Sequence, residues 1–551
     1  MPAAVRVKSS PPSLEFARNP MPVGGLNWVD NVMALTPEFA YVLDNFVARP
    51  FGCEVRKGWR YWMAAGNTFA GPVRTVMVFN ARNPASSRLF ACPAIVGSPI
   101  YNISTTNTAP VVSLTPTTPP TVLGEYYHTN YVTTGGAFLV VVAAGMGYAS
   151  YSTTGWVQYT VGDGIVANTI KFPANDTTTL QQLCFVWSWK SRLWFLKKDS
   201  TVAYYLPIGQ LYGELKAFDF GSQLDHGGAL AYGANWTYDG GDGMDDGLVI
   251  VTTEGEILVY QGTDPSSIET FAMKGMWYAG RPPYGRRAYH THGGDLLVLT
   301  EYGIIRMTDL VSGKLHTADL SYNGLGGRVN PRLARFVSET INSQYWFILP
   351  YPTEELLVVG SPYIDLERSV RITYVMNSLG NGWSTFSKLD MLDAQMWEGR
   401  LLFGMRDGNV GQGFELYRDG DSADGQTVGD NIVASLQTNF NDYGSPNFNK
   451  TIRRAKVYGV VENQPSIYLT FQPEYNFTIT QLPGVPTSDA RALWDVALWD
   501  AAFWASASAS LHKWFGTAAF GKKMALQLVT QVNSATLLTD YETCFTKGNG
   551  L

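Results

Sequence analysis

The sequence predicts an all-β protein, a β-propeller of about six to eight blades with an N-terminal arm and a C-terminal β-domain. The first observation behind that reading is a repeated hairpin. Leu296 to Leu299 is an apolar run too short for a helix, Glu301-Tyr302-Gly303 supplies a turn, and Ile304 and Ile305 resume the apolar pattern. Gly247 to Leu258 matches it in the same register without a gap. Ala137 leads likewise to Gly145, Arg192 to Asp199 and Arg400 to Gly408, with weaker copies near Arg88 and Gln344. The second observation is the spacing. Starts at 88, 137, 192, 247, 295, 344 and 400 lie 48 to 56 residues apart, the length of a four-stranded blade. The third is that Phe138 to Val142, Leu248 to Val251 and Leu296 to Leu299 are unbroken apolar runs, as strands packed on both faces require. Unrelated β-sandwich hairpins are the competing reading, and the shared turn register favours a repeated unit.

Composition agrees with this class. Aromatic residues are 13% and charged residues 16% of 551, with 55 Gly and 29 Pro, a turn-rich β balance. A net charge of −6 argues against a generally basic surface that grips duplex DNA. Cys53, Cys92, Cys184 and Cys544 show no C-x-x-C spacing, so buried free thiols are expected rather than a zinc ribbon or disulfide scaffold. Met1 to Pro22 has no apolar core of a secretory signal, so synthesis in a cytoplasm is expected. No run approaches eighteen apolar residues, so no membrane-spanning segment is expected.

In chain order, residues 1–60 read as an arm followed by a short helix and a strand. Five prolines in Met1 to Pro22 argue against regular pairing, and Thr36, Pro37 and Glu38 look like the cap and first turn of a helix running to Asn45. Residues 61–425 form the propeller. Thr105 to Thr121 and Gly240 to Gly247 read as loops, and Gly360-Ser361-Pro362 marks a long hairpin or insertion in the sixth repeat. Residues 426–551 form the C-terminal β-domain, where polar alternation is clearer.

Gly24-Gly25-Leu26-Asn27, then Ala40 to Phe46, then Glu54-Val55-Arg56-Lys57-Gly58-Trp59 resemble the opening of the β-propeller tail nozzle proteins of short-tailed phages (podoviruses), the tail tubular protein B-like family. Gly255 to Pro265, Gly280-Arg281, Gly285-Arg286-Arg287, Gly293 to Thr300, and Tyr374 to Ser378 with Trp383 resemble the same family. The resemblance implies a structural virion protein rather than an enzyme. It implies a homo-hexameric ring between the portal adaptor and distal tail parts such as fibre or needle proteins, through which phage DNA passes during ejection without tight binding. The alternative is a polysaccharide-binding or -cleaving propeller.

No catalytic, cofactor or metal site is assigned from the sequence, and each candidate has a plainer reading. His290 and His292, two apart, would share a strand face and suit zinc, but no third ligand lies nearby in sequence. Asp239, Asp242, Asp245 and Asp246 lack the bidentate glutamate of a calcium loop. Trp494, Trp499 and Trp504 recur every five residues, which fits neither a strand face nor a helix stripe. They read as core or contact aromatics before a sugar platform. No serine-hydrolase, zincin, phosphate-loop or dinucleotide fingerprint is present. Arg281, Arg286 and Arg287, with Tyr284, form a local basic cluster, expected at a subunit or partner contact rather than in the channel.

Overall fold

Seven β-sheets arranged around one axis account for most of the chain in the computed structural model. It describes residues 14–31, 35–239, 244–267, 269–313, 324–365, 370–474 and 509–548. Blade 1 comprises Val73–Phe79, Arg88–Pro93, Ile100–Asn102 and Val111–Leu114. Blade 2 comprises Tyr127–Thr133, Gly136–Ala143, Gly147–Ser152 and Gly155–Gln158. Blades 3 and 4 run from Leu183 to Asp219 and from Leu230 to Tyr278, and blade 5 has three strands, Tyr289–His292, Asp295–Thr300 and Gly303–Arg306. Blade 6 comprises Phe347–Tyr351, Leu356–Gly360, Val370–Asn377 and Trp383–Ser387. Blade 7 takes Asp393–Trp397, Arg400–Gly404 and Val410–Gly413, and its outermost strand, Trp59–Tyr61, arrives from before blade 1.

Polar side chains tie successive blades together. Asn130 Nδ2 donates to Val78 O at 2.9 Å between blades 2 and 1, Asn235 Nδ2 to Ser188 O at 2.8 Å between blades 4 and 3, and Trp236 Nε1 to Asp295 Oδ1 at 3.1 Å between blades 4 and 5. Apolar cores fill the spaces between sheets. Leu297, Leu299 and Ile304 pack into one core while Leu296, Val298 and Ile305 pack into another, and all six are fully buried. Consecutive residues of one strand thus enter two cores, so Leu297→Ala and Val298→Ala are each expected to cost roughly 2–4 kcal/mol in urea unfolding. A near-neutral result at either position would mean a solvent-facing side.

Six of the seven repeat starts fall on the second strand of a blade. The start near Gln344 instead precedes the first strand of blade 6, whose second strand is Leu356–Gly360. The Gly240 to Gly247 loop is shorter than the sequence suggests, because pairing continues to Asp239 opposite Met244.

The expected helix at Thr36 to Asn45 is a β-strand, Phe39–Asp44, held between Gly25–Leu26 and Asp430–Thr438. Its aromatic and β-branched side chains suit a half-buried sheet, and that pairing outweighs the cap-like Thr36 and Pro37, which form only a turn. Instead, helices α1 (Met307–Val311) and α2 (Asn330–Glu339) follow blade 5. Helix α2 has Pro331 in its first turn and buries Leu333 and Val337, and Asn330 Oδ1 accepts from Ile304 N at 3.1 Å. Gly303, at φ +100°, faces that asparagine, so Gly303→Val meets both a strained backbone and the Asn330 side chain and is expected to lower the melting temperature.

The arm also differs from expectation. Leu14–Pro20 pairs antiparallel with Thr536–Lys547 of the same chain, with Pro20 at the tip of this edge strand where a missing N–H is tolerated. The N-terminal segment is therefore joined to the C-terminal strands: Gly52–Val55 pairs with Thr536–Lys547, and Phe39–Asp44 with Asp430–Thr438. This combined base bridges the outer edges of blades 6 and 7. At the joint Arg56, whose side chain is 0% exposed, makes a two-pronged ion pair with Asp419 at 2.8 and 2.7 Å. Its Nε donates to Asn45 Oδ1 at 2.7 Å and its Nη2 to Ser387 O at 3.0 Å, and Asn45 Nδ2 reaches Val433 O at 2.8 Å. One guanidinium thus ties blade 6 to the base and to Arg418–Asp421, the strand that pairs with the outermost strand of blade 7. Cys53, Cys92, Cys184 and Cys544 are all buried and unpaired. Among the described residues no helix is long and apolar enough to cross a membrane.

Candidate functional site at the propeller axis

The segment from Gly285 to Tyr289 enters the axis as it leads into the first strand of blade 5, and its side chains and backbone reach all the other blades. Arg286 Nη1 donates to Cys184 O at 3.3 Å and to Cys184 Sγ in blade 3. Arg287 is 15% exposed. Its Nη1 donates to Arg74 O at 2.9 Å, and its Nη2 to Thr75 Oγ1 at 2.7 Å and to Tyr126 O at 2.9 Å, which covers blade 1 and the entry to blade 2. Asp393 of blade 7 lies 3.7 Å from Arg287 Nη1, and its other oxygen accepts from Val76 N at 2.8 Å. The Arg287 carbonyl accepts from Ile348 N of blade 6 at 3.2 Å, and Tyr289 stacks on Tyr232 of blade 4 with ring centroids 4.5 Å apart. Arg286 and Arg287 also lie 5.9 and 5.4 Å from the Tyr127 ring of blade 2. Guanidinium forks suit this position because each presents several donors in fixed directions to carbonyls that converge from different strands.

A polar cavity of about 320 Å³ remains beside this cluster, lined among others by His128, Asn130, His290, Asp393 and Gln395. That volume is at the lower end of small-molecule pockets and far too small for a duplex whose major groove alone is about 12 Å wide. Burial, reinforced by the Arg287 charge, pushes the His128 imidazole down to about 3, and burial lowers His290 as well. Burial raises the Asp393 carboxyl, against the opposing pull of Arg287 and the Val76 N–H. An unfolded imidazole takes up a proton near pH 6.5 while the folded His128 stays neutral, so the folded state loses stability as pH falls below about 6.5. His128→Asn is therefore expected to flatten the dependence of the urea midpoint on pH between 7.5 and 5; an unchanged slope would place the titration elsewhere. Asp393 acts in the opposite sense, its raised value favouring the folded state in acid.

The basic cluster of the sequence is divided by the fold. Arg281 is exposed and contacts Glu301, its N–H reaching Oε1 at 3.0 Å, whereas Arg286 and Arg287 turn inward to the axis. They are internal ties, which corrects their expected place at a subunit or partner contact. His290 Nδ1 lies 2.7 Å from Thr291 O, and among the described residues no three His, Cys, Asp or Glu side chains converge as metal ligands. Asp246 accepts from Thr237 Oγ1 at 2.9 Å across the blade 4 hairpin. Asp242, with the side chains of Asp239 and Asp245, lies outside the described residues, as do Trp494, Trp499 and Trp504. His128, Asp393 and Gln395 were not singled out from the sequence. Their signal was a polar residue at every second position of an innermost strand, in His128/Asn130 and Asp393/Gln395.

The all-β chain, with seven sheets closing a ring, is a β-propeller with an appended β-base. No family model matches it, and no curated protein matches it. Among solved structures it is similar to the computationally designed Ika8 protein, at 10% identity and a TM-score of 0.35, over 65% of this chain and 100% of that one. YCF48 bound to D1 peptide gives 9% identity and a TM-score of 0.34 over 64% and 98%. An exo-β-1,3-galactanase from Phanerochaete chrysosporium gives 7% and 0.24 over 77% and 98%. Likenesses this distant say nothing about chemistry.

Proposed function

We propose that the chain is a structural protein of a short-tailed phage virion, a tail nozzle component that assembles into a ring through which the genome leaves. One observation carries the reading: the residues on which the family resemblance rests lie at places that set the architecture. Gly25 pairs with Trp383, Asp44 Oδ2 accepts from Ser387 Oγ at 2.8 Å, and Arg56 holds Asp419, all at the joint of propeller and base. Gly285 to Arg287 knit the axis. Because each propeller axis is crossed by its own arginines, the conduit in this reading runs between copies of the chain. The portal adaptor and the fibre or needle proteins would meet the ring at its two ends.

Hydrolysis of a polysaccharide by a carboxylate pair gains no support at the axis, where Asp393 is the only acidic residue lining the cavity among the described residues and it sits beside Arg287. Negative-stain microscopy of the purified chain tests the proposal, with rings expected. Release of sugar from capsular or peptidoglycan substrates would overturn it. A conduit must pass DNA without holding it, and six chains at −6 would carry a formal −36. The ring is therefore expected to show weak or no gel shift with duplex DNA at about 0.15 M salt, where the Debye length is roughly 8 Å.

A further inference from the structure

The base has an outer face that neither the joint nor the axis uses. Leu14–Pro20, Thr536–Lys547, Lys450–Val461 and Ala509–Gly521 lie side by side in that order, all antiparallel. Their registers align Arg18, Glu542, Lys456 and Trp514 in one row across the sheet, with Asp540, Tyr458 and His512 in a neighbouring row. Strand alternation turns these side chains outward, and Phe16, Trp514 and Phe520 are 53%, 39% and 63% exposed. Cations lie on the rings: Arg454 is 4.8 Å from the Trp514 centroid, while Lys456 and Arg18 are 4.6 and 4.5 Å from that of Tyr458. Phe16 meets Trp514 edge-on at 6.5 Å.

Both carboxylates of the face are engaged. Asp540 pairs with Arg18 at 3.0 Å and Glu542 accepts from Tyr458 OH at 2.7 Å. Among the described residues, Arg453, Arg454 and Lys456 have no carboxylate partner. Bases could not stack freely here, because the Trp514 and Tyr458 rings already carry the protein's own cations. Tryptophan, tyrosine and arginine held against one another in this way are instead the composition of a protein-binding hot spot.

We propose that this face docks, head to tail, onto an acidic surface of a second copy of the chain. Arg18, Arg453, Arg454 and Lys456 against Asp540 and Glu542 leave the face at a formal +2, so the remainder of a chain with net charge −6 carries −8. Two such faces would repel each other, whereas face against remainder attracts. A contact between unlike surfaces closes into a ring when the rotation allows. Strands of 7, 12, 12 and 13 residues, at ~3.3 Å per residue and ~4.8 Å apart, cover roughly 700 Å², near the ~800 Å² per partner of a stable interface. The inference rests on the ring reading and names the surface that would build it.

Mass photometry and negative stain of the full chain at about 0.15 M salt test it. Wild type is expected as rings. The Trp514→Ala/Lys456→Glu double variant is expected to dissociate at concentrations at least tenfold higher than wild type, with unchanged circular dichroism and melting temperature. Arg454→Glu alone provides a second, milder variant, and Lys274→Glu on an exposed position of blade 4 is expected to leave the rings intact. Rings of normal stability in both face variants would overturn the docking proposal and leave the ring reading standing, while a wild type that stays monomeric would overturn both. A two-fold dimer dissolved by the same substitutions would overturn the head-to-tail geometry. Loss of binding to a labelled oligothymidine, with rings unaffected, would reassign the face to nucleic acid and overturn the proposal.

Discussion

Asp419→Ala is expected to lower the unfolding free energy by about 3–5 kcal/mol, because it leaves the Arg56 guanidinium buried without its counter-ion. Arg56 has a fully buried side chain, and its remaining bonds to Asn45, Lys57 and Ser387 satisfy donors without neutralising the charge. The urea midpoint should fall accordingly. Arg56→Met combined with Asp419→Leu should cost less than the single change, since removing both charges also removes the penalty of burying them. If Asp419→Ala were neutral, the pair would be hydrated and the joint between base and propeller would be held by apolar packing instead.

Arg287→Met should be comparably damaging, at about 3–5 kcal/mol. It strips hydrogen bonds from Arg74 O, Thr75 Oγ1 and Tyr126 O and leaves Asp393 buried beside no cation. Lysine at 287 is not expected to rescue stability, because an ammonium cannot present donors in the fixed fork that reaches these blades. Arg281→Ala, which breaks only a half-exposed pair with Glu301, should cost no more than about 1 kcal/mol. The same variants bear on DNA. If Arg286→Ala and Arg287→Ala abolished a tight, salt-sensitive gel shift while the protein stayed folded, these arginines would be DNA contacts and the passive conduit would be wrong.

The propeller was legible because a blade imposes its pattern locally. Apolar runs of three to five residues with a turn a short distance on mark the second strands of six blades, and the one misplaced start, near Gln344, came where Phe347 to Leu349 imitates that run on a first strand. What local pattern could not show was pairing at long range. Thr36-Pro37-Glu38 carries a helix signal that would hold in isolation, but Ala40 pairs with Thr438 and Leu43 with Leu436, and partners some 400 residues away leave no trace in a local window. Helix α2 leaves only a faint local signal, since Val329, Leu333 and Val337 recur every four residues but the stripe ends within ten residues of helix. At the axis, Arg286 and Arg287 read locally as surface charge, and only the closed ring turns them inward.

The last blade borrows its outer strand from residues that precede the first, with Arg60 Nε meeting Gln412 Oε1 across a sequence separation of 352 at 3.1 Å. During synthesis the Trp59–Tyr61 strand emerges long before its partner exists. At about 5–20 residues per second the ribosome needs roughly 20–70 s to deliver Val410–Gly413. Throughout that interval Trp59–Tyr61 lacks its hydrogen-bonding partner, and a β edge left open is a template for pairing with another chain. The nascent protein is therefore most prone to aggregation before its final quarter is made, and a truncation ending before Val410 should be recovered mainly as insoluble material.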